Sequence, residues 1–131
     1  MFTSLHVKEW LEDHILSGAK VYNDQMPPTG RIIYVRMLSG PGYSMEGIQD
    51  NLAFTLEVRG ADRNFDDAEN IVREIDDVIL RYGRDPYTFS DGTYMYFMGR
   101  TGGPPGQILV PDAAGRFAFS GNYYATVATD L

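Results

Sequence analysis

The segment LAFTLEVR, Leu52 to Arg59, constrains this chain more than any other stretch. Leu52, Phe54, Leu56 and Val58 fall on one side of an extended backbone; Ala53, Thr55, Glu57 and Arg59 fall on the other. A strand that alternates this cleanly has one buried and one solvated face, the pattern of an antiparallel sheet covered on one side. Something apolar must then cover the inner face. The segment NFDDAENIVREIDDVILRYG supplies it: Phe65, Ala68, Ile71, Val72, Ile75, Val78, Ile79 and Tyr82 recur at helical spacing. Asn64 suits the N-cap, and Asp66 and Asp67 sit in the first turn, where the helix dipole favours negative charge. Glu69–Arg73 and Asp77–Arg81 are i,i+4 pairs in the favourable order. Gly83 is expected to end the helix in the left-handed region.

Near the N-terminus, Thr3 or Ser4 can cap a helix over about residues 4–17, with Gly18 as its stop. Val7, Trp10, Leu11, His14 and Ile15 form its inner face, and Lys8, Glu9, Glu12 and Asp13 its solvated one. RIIYVRML (Arg31–Leu38), TYMYFM (Thr93–Met98) and FAFSGNYYATVAT (Phe117–Thr129) read as strands, the last with an expected bulge at Gly121–Asn122. SGPGYSMEGIQD and GRTGGPPGQILVPDAAGR hold too much Gly and Pro for regular elements. These long loops follow the first and third strands and are expected to protrude from one side of the sheet. The order helix-strand-strand-helix-strand-strand defines an α+β class, a mostly antiparallel sheet with two helices packed on it. A single domain over 1–131 is expected, the sheet and second helix spanning about residues 31–129.

At 131 residues, 44% hydrophobic and 22% charged, the chain can bury a core. It has no cysteine, which excludes disulfides and thiolate metal sites. The N-terminal segment is interrupted by charges and does not read as an export signal, and no apolar run reaches membrane-spanning length. A net charge of −7 without a basic stripe argues against sequence-specific nucleic-acid binding.

The glycine-rich segment Ser39–Asp50 invites a test for chemistry. Gly42 is followed at the right distance by Gly47, but Ile48 and Gln49 stand where a phosphate loop needs Lys and Ser or Thr. The dinucleotide fingerprint fails at Met45, and a serine elbow fails at Glu46. Asp62, Asn64 and Asp66 match the start of a calcium loop, but Asp67 replaces the turn glycine and Arg73 the bidentate glutamate. The two histidines, His6 and His14, lie two turns apart on one helix and make a poor metal pair; His14 is expected to be partly buried and hydrogen-bonded. No catalytic, cofactor or metal residue is assigned.

The segments RIIYVRMLSGPG, FTLEVRG, DDAENIVREIDDVIL and GGPPGQILVPDAAGRFAFSGNYYATVAT, in that order, resemble phage tail terminator proteins, particularly those of long-tailed phages of actinobacteria. The resemblance runs from about Pro28 to the last residue. It implies a tail-terminator-like sandwich and no enzymatic activity. The implied role is a virion structural protein that caps the head-proximal end of the tail tube, ends its polymerisation and offers a head-attachment interface. The implied partners are further copies in a hexameric ring, the tail tube protein and a head-completion protein. DNA passes through the ring without specific binding, and the ring is assembled in the host cytoplasm. A head–tail joining or minor capsid protein is the alternative among virion components; a small ligand-binding or hydrolytic domain is the alternative outside them. The acidic balance suits a DNA conduit, since like charge keeps the duplex from sticking. Ring contacts are expected to be heterologous, on the sheet edge and long loops. The interface candidates are Tyr43, Met45, Arg100, Gln107, Asp112 and Arg116. Arg100 and Arg116 flank the Gly/Pro loop, where they can pair with acids of a neighbour or stand solvated.

Overall fold

The computed structural model describes residues 2–16, 18–25, 30–38, 42–43, 49–60, 65–101, 107–109 and 118–128. In chain order the elements are α1 (Ser4–His14), β1 (Lys20–Tyr22), β2 (Ile32–Met37), β3 (Gly42–Tyr43), β4 (Gln49–Arg59), α2 (Phe65–Tyr82), β5 (Tyr87–Thr88), β6 (Tyr94–Arg100), β7 (Gln107–Leu109) and β8 (Ala118–Ala128). The fold is α+β. Six strands lie in the order β1-β2-β4-β8-β6-β5, with β3 added to β4 and β7 to β8. All pairings are antiparallel except β1 with β2. The unexpected β1 is three residues long, so the chain has only about 10 Å to retrace before it enters β2 in parallel.

The centre of the sheet is an eleven-pair ladder between β4 and β8, from Gln49↔Ala128 to Arg59↔Ala118. It passes without a break through Leu56↔Gly121 and Thr55↔Asn122, so the expected bulge at Gly121–Asn122 is absent. A Cβ on Gly121 would come within 2.8 Å of the Tyr123 hydroxyl, and the ring fills that space instead. The irregularity lies in β6, between Met95 and Phe97.

Both Gly/Pro-rich segments contain strand that resumes. After β2, the Leu38 N–H donates to the Ala53 carbonyl, and β3 then pairs Gly42↔Asn51 along the same side of β4. After β6, the Thr101 N–H donates to the Asn122 carbonyl, and β7 pairs Gln107↔Ser120 along β8. Because β4 and β8 run antiparallel, β3 and β7 stand at opposite ends of the sheet; the rest of the two long loops, expected to protrude from one side, lies outside the described residues.

Both helices pack on one face of the sheet around a single core. Phe54, Leu56 and Val58 of β4 are buried there, as the alternation required, with Ala68, Ile71, Val72, Ile75, Val78 and Ile79 of α2 against them. Tyr82 departs from the expected stripe and is 44% exposed, its ring tilted over His14. Thr3 caps α1, which ends at His14, three residues earlier than expected, with Ile15 as an extended C-cap. Trp10, Val7 and Leu11 are fully buried. His14 is half-buried: its Nδ1 bonds the Trp10 carbonyl at 2.7 Å and its ring stacks on Trp10.

The outward acids of α1 are not simply solvated. Glu9 accepts from the Ser90 N–H at 3.0 Å and the Ser90 hydroxyl at 2.6 Å, and Asp13 accepts from the Tyr87 hydroxyl. Thus α1 packs on β1 and β2 at one margin of the sheet and grips the β5–β6 turn at the other. One helix reaching both margins is what a curled sheet permits.

Gly83 follows α2, but it is not left-handed; the positive-φ glycines among the described residues are Gly18, Gly30 and Gly92. Its role is close approach. The Met98 N–H donates to the Gly83 carbonyl at 2.7 Å, and a Cβ on Gly83 would lie 2.2 Å from the Met98 carbonyl oxygen. The Gly83→Ala variant is therefore expected to lose about 2 kcal/mol or more by overpacking against rigid backbone. Urea unfolding of the two proteins measures it.

Candidate functional site

A recess lies where the end of α2 meets the outer margin of β6. Residues Ile79 and Leu80 of α2 and Phe97, Met98 and Tyr124 of the sheet form its apolar walls, and Asp76, Arg84 and Arg100 supply its charges. Its volume is about 330 Å³. Leu80 forms an exposed lip and Met98 is buried. The guanidinium of Arg84 is exposed and has no ion-pair partner among the described residues.

The β6 irregularity builds this site. Met95 pairs with Val127, but Phe97 already pairs with Thr126, so one extra residue enters β6. Such a bulge reverses the in-out alternation downstream. Met98 and Arg100 therefore turn to the helix side, where simple alternation from Tyr94 and Tyr96 would have placed Arg100 on the open side. Arg100 Nη1 donates to Asp76 Oδ2 at 3.3 Å, and the Tyr123 hydroxyl donates to Asp76 Oδ1 at 3.2 Å. Burial pushes the Asp76 carboxyl above its ordinary value; Arg100 and the Tyr123 hydrogen bond oppose that shift without cancelling it. Burial, then the Asp76 charge, likewise raises the Tyr123 phenol well above its ordinary range.

The sequence-derived candidates do not form one constellation. Arg100 is in the recess, where it pairs with Asp76 of its own chain. Tyr43 lies on β3 opposite Asp50, and Gln107 on β7 opposite Ser120. Since Asp50 pairs with Val127, the two candidates stand about seven residues, roughly 24 Å, apart along β8. Met45, Asp112 and Arg116 lie outside the described residues, as do Asp62 and Asn64 of the calcium-like run. Asp76, Tyr123 and Arg84 were missed. A shift from odd to even apolar positions between Met95 and Met98 was the one available signal.

A second polar cluster tests the hydrolytic alternative. Thr3 Oγ1 lies 3.3 Å from His6 Nδ1, and His6 Nε2 lies 2.8 Å from Asp91 Oδ2. Hydroxyl, imidazole and carboxylate follow in the order of a nucleophilic triad. The hydrogen bonds assign a different role. The Thr3 N–H donates to Nδ1 at 2.9 Å, and Thr3 Oγ1 accepts from the Leu5 N–H. This is a capping box with histidine in the place usually held by Glu or Gln. The imidazole is packed between Phe2 and Phe89 and is buried from solvent. The Asp91 carboxyl is held well below the usual range, first by the Thr93 amide and hydroxyl and then by His6. No group of three or more His, Cys, Asp or Glu suited to a metal ion occurs among the described residues.

Compared with models of known families and with curated protein sequences, the chain matches none. What stands is the class: an α+β domain with a mostly antiparallel, curled sheet, two helices on one face, and an arginine-flanked apolar recess at its margin.

The Asp76 shift has a signed consequence. An acid whose folded pKa is raised binds its proton more tightly when folded, so stability falls as pH rises from its ordinary 3.8 through the raised value. Asp91 acts oppositely, losing its contribution as pH falls through its depressed value. The Asp76→Asn variant is expected to lack the decline that sets in as pH rises past 3.8 while keeping the acid-side loss. Melting temperature against pH for both proteins checks this.

Proposed function

We propose that this chain is a structural protein of a phage virion, which caps the head-proximal end of the tail tube, ends its polymerisation and presents the head-attachment surface. It acts as a homo-oligomeric ring, hexameric in the completed virion, around a channel that DNA crosses without specific binding. The ordered resemblance from RIIYVRMLSGPG to the last strand motivates this role, and the α+β architecture agrees with it at the level of class.

The observation that carries an assembly role is the sheet face opposite the helices. It presents the paired aromatics Tyr94 and Tyr96 at 4.9 Å, while Phe97 and Tyr124, 5.6 Å apart, stand at the margin where this face meets the recess. Beside them run polar rungs, Thr55 to Asn122 at 3.2 Å and Asn51 to Thr126 at 2.7 Å. Tyr94, Tyr96, Asn122 and Arg36 are exposed. Exposed aromatics beside satisfied polar groups suit a protein contact, where rings supply area at little entropic cost.

Purified protein mixed with purified tail tubes is expected to place one ring at one end of each tube and to halt growth there. Negative-stain electron microscopy with mass photometry reads both. Tubes that keep growing with bare ends, beside a persistent monomer, overturn the reading. Binding to the head connector in place of the tube would move the protein to head–tail joining.

A further inference from the structure

Two surface features match each other. The first is a knob. Beyond the end of α1, Leu16 is 89% exposed. Its backbone is fixed all the same: the Ile15 N–H donates to the Leu11 carbonyl at 2.7 Å, and the Leu16 N–H donates to Glu74 Oε2 at 3.2 Å. Its neighbours in the chain and on α2 include Glu12, Asp13 and Glu74, with Asp13 bonded to the Tyr87 hydroxyl. Glu12 and Asp13 are exposed in the last turn of α1, and Glu74 stands behind it with Oε1 buried and accepting no hydrogen bond among the described residues. Lys8 and Lys20 lie with Glu12 around the adjoining hollow. The second feature is the recess at β6, apolar between Leu80 and Met98 and flanked by Arg84 and Arg100 against the one carboxyl of Asp76.

Their placement is complementary as well. Glu74, which holds the knob, and Asp76, which lines the recess, are two positions apart on α2, hence about 200° apart around its axis. Knob and recess therefore occupy opposite flanks of the helix.

We infer that Leu16 of one copy of this chain inserts between Leu80 and Met98 of the next, with Arg84 and Arg100 facing the carboxylates around the knob. An apolar knob meeting a pocket elsewhere on the same surface makes a heterologous contact, which closes into a ring or continues as a filament. The inference rests on the assembly reading and names the surfaces through which the copies meet.

The absence of cysteine makes the test clean. A Leu16→Cys/Leu80→Cys double variant, oxidised gently at rising protein concentration, is expected to give a ladder of disulfide-linked multimers on a non-reducing gel. Each single variant stops at dimer. Leu16→Asp is expected to abolish association in sedimentation velocity while leaving the melting temperature unchanged. A double variant that remains monomeric on the gel, or Leu16→Asp associating like wild type because another surface or partner fills the recess, overturns the inference. Rings on tubes without a ladder would sink this contact and leave the assembly reading intact. A ladder from a chain that never caps tubes would keep the contact and sink the tail-terminator role.

Discussion

The eleven-pair ladder between β4 and β8 is the constraint on which the rest of the molecule depends. Its period of two sends Phe54, Leu56 and Val58, with Phe119, Tyr123, Ala125 and Val127, to one face. A slip of one residue would carry that whole set to the other side. With both central strands so fixed, their outer neighbours tolerate interruption. β2 gives way to β3 and β6 to β7, each pair lying along one central strand with a Gly/Pro-rich break between.

Closure comes from α1. It buries Trp10, Val7 and Leu11 against the core and uses its polar side chains on the distant margin. His6 reaches Asp91, Glu9 reaches Ser90 and Asp13 reaches Tyr87. The apolar contacts supply the bulk of the attraction, since burial scales with area. The partly exposed polar contacts fix the angle at which helix and turn meet. Burial, then the Asp13 hydrogen bond, raises the Tyr87 phenol above its ordinary range, so it stays a donor.

The bulge in β6 links fold to surface. By reversing the alternation it turns Arg100 towards Asp76 and leaves Phe97 beside Tyr124 at the margin where the open face meets the recess. Asp76 remains a partly desolvated carboxyl with a raised pKa, a local electrostatic cost. Its effect is to hold Arg100 at the rim of an apolar recess.

Local pattern in the chain determined a good deal. The alternation of Leu52–Arg59, the stripe and charge pairs of α2, the Thr3 cap and the α+β class are all legible because each depends on neighbours within a few residues. Some readings failed for a shared reason. Gly83 looked like a left-handed stop but is a contact with Met98, and Glu9 and Asp13 looked solvated but hold residues more than seventy positions away. The Gly/Pro-rich segments read as loops because local propensity cannot see the long ladder that lets β3 and β7 pair. Sequence by itself determined the inward faces of the long strands and most of the α2 stripe, and which long elements form, since periodicity and capping are short-range. Only the tertiary structure decided which strand lies beside which, which glycine is crowded and where the charged recess opens, because those follow from curvature and register set between residues far apart in the chain.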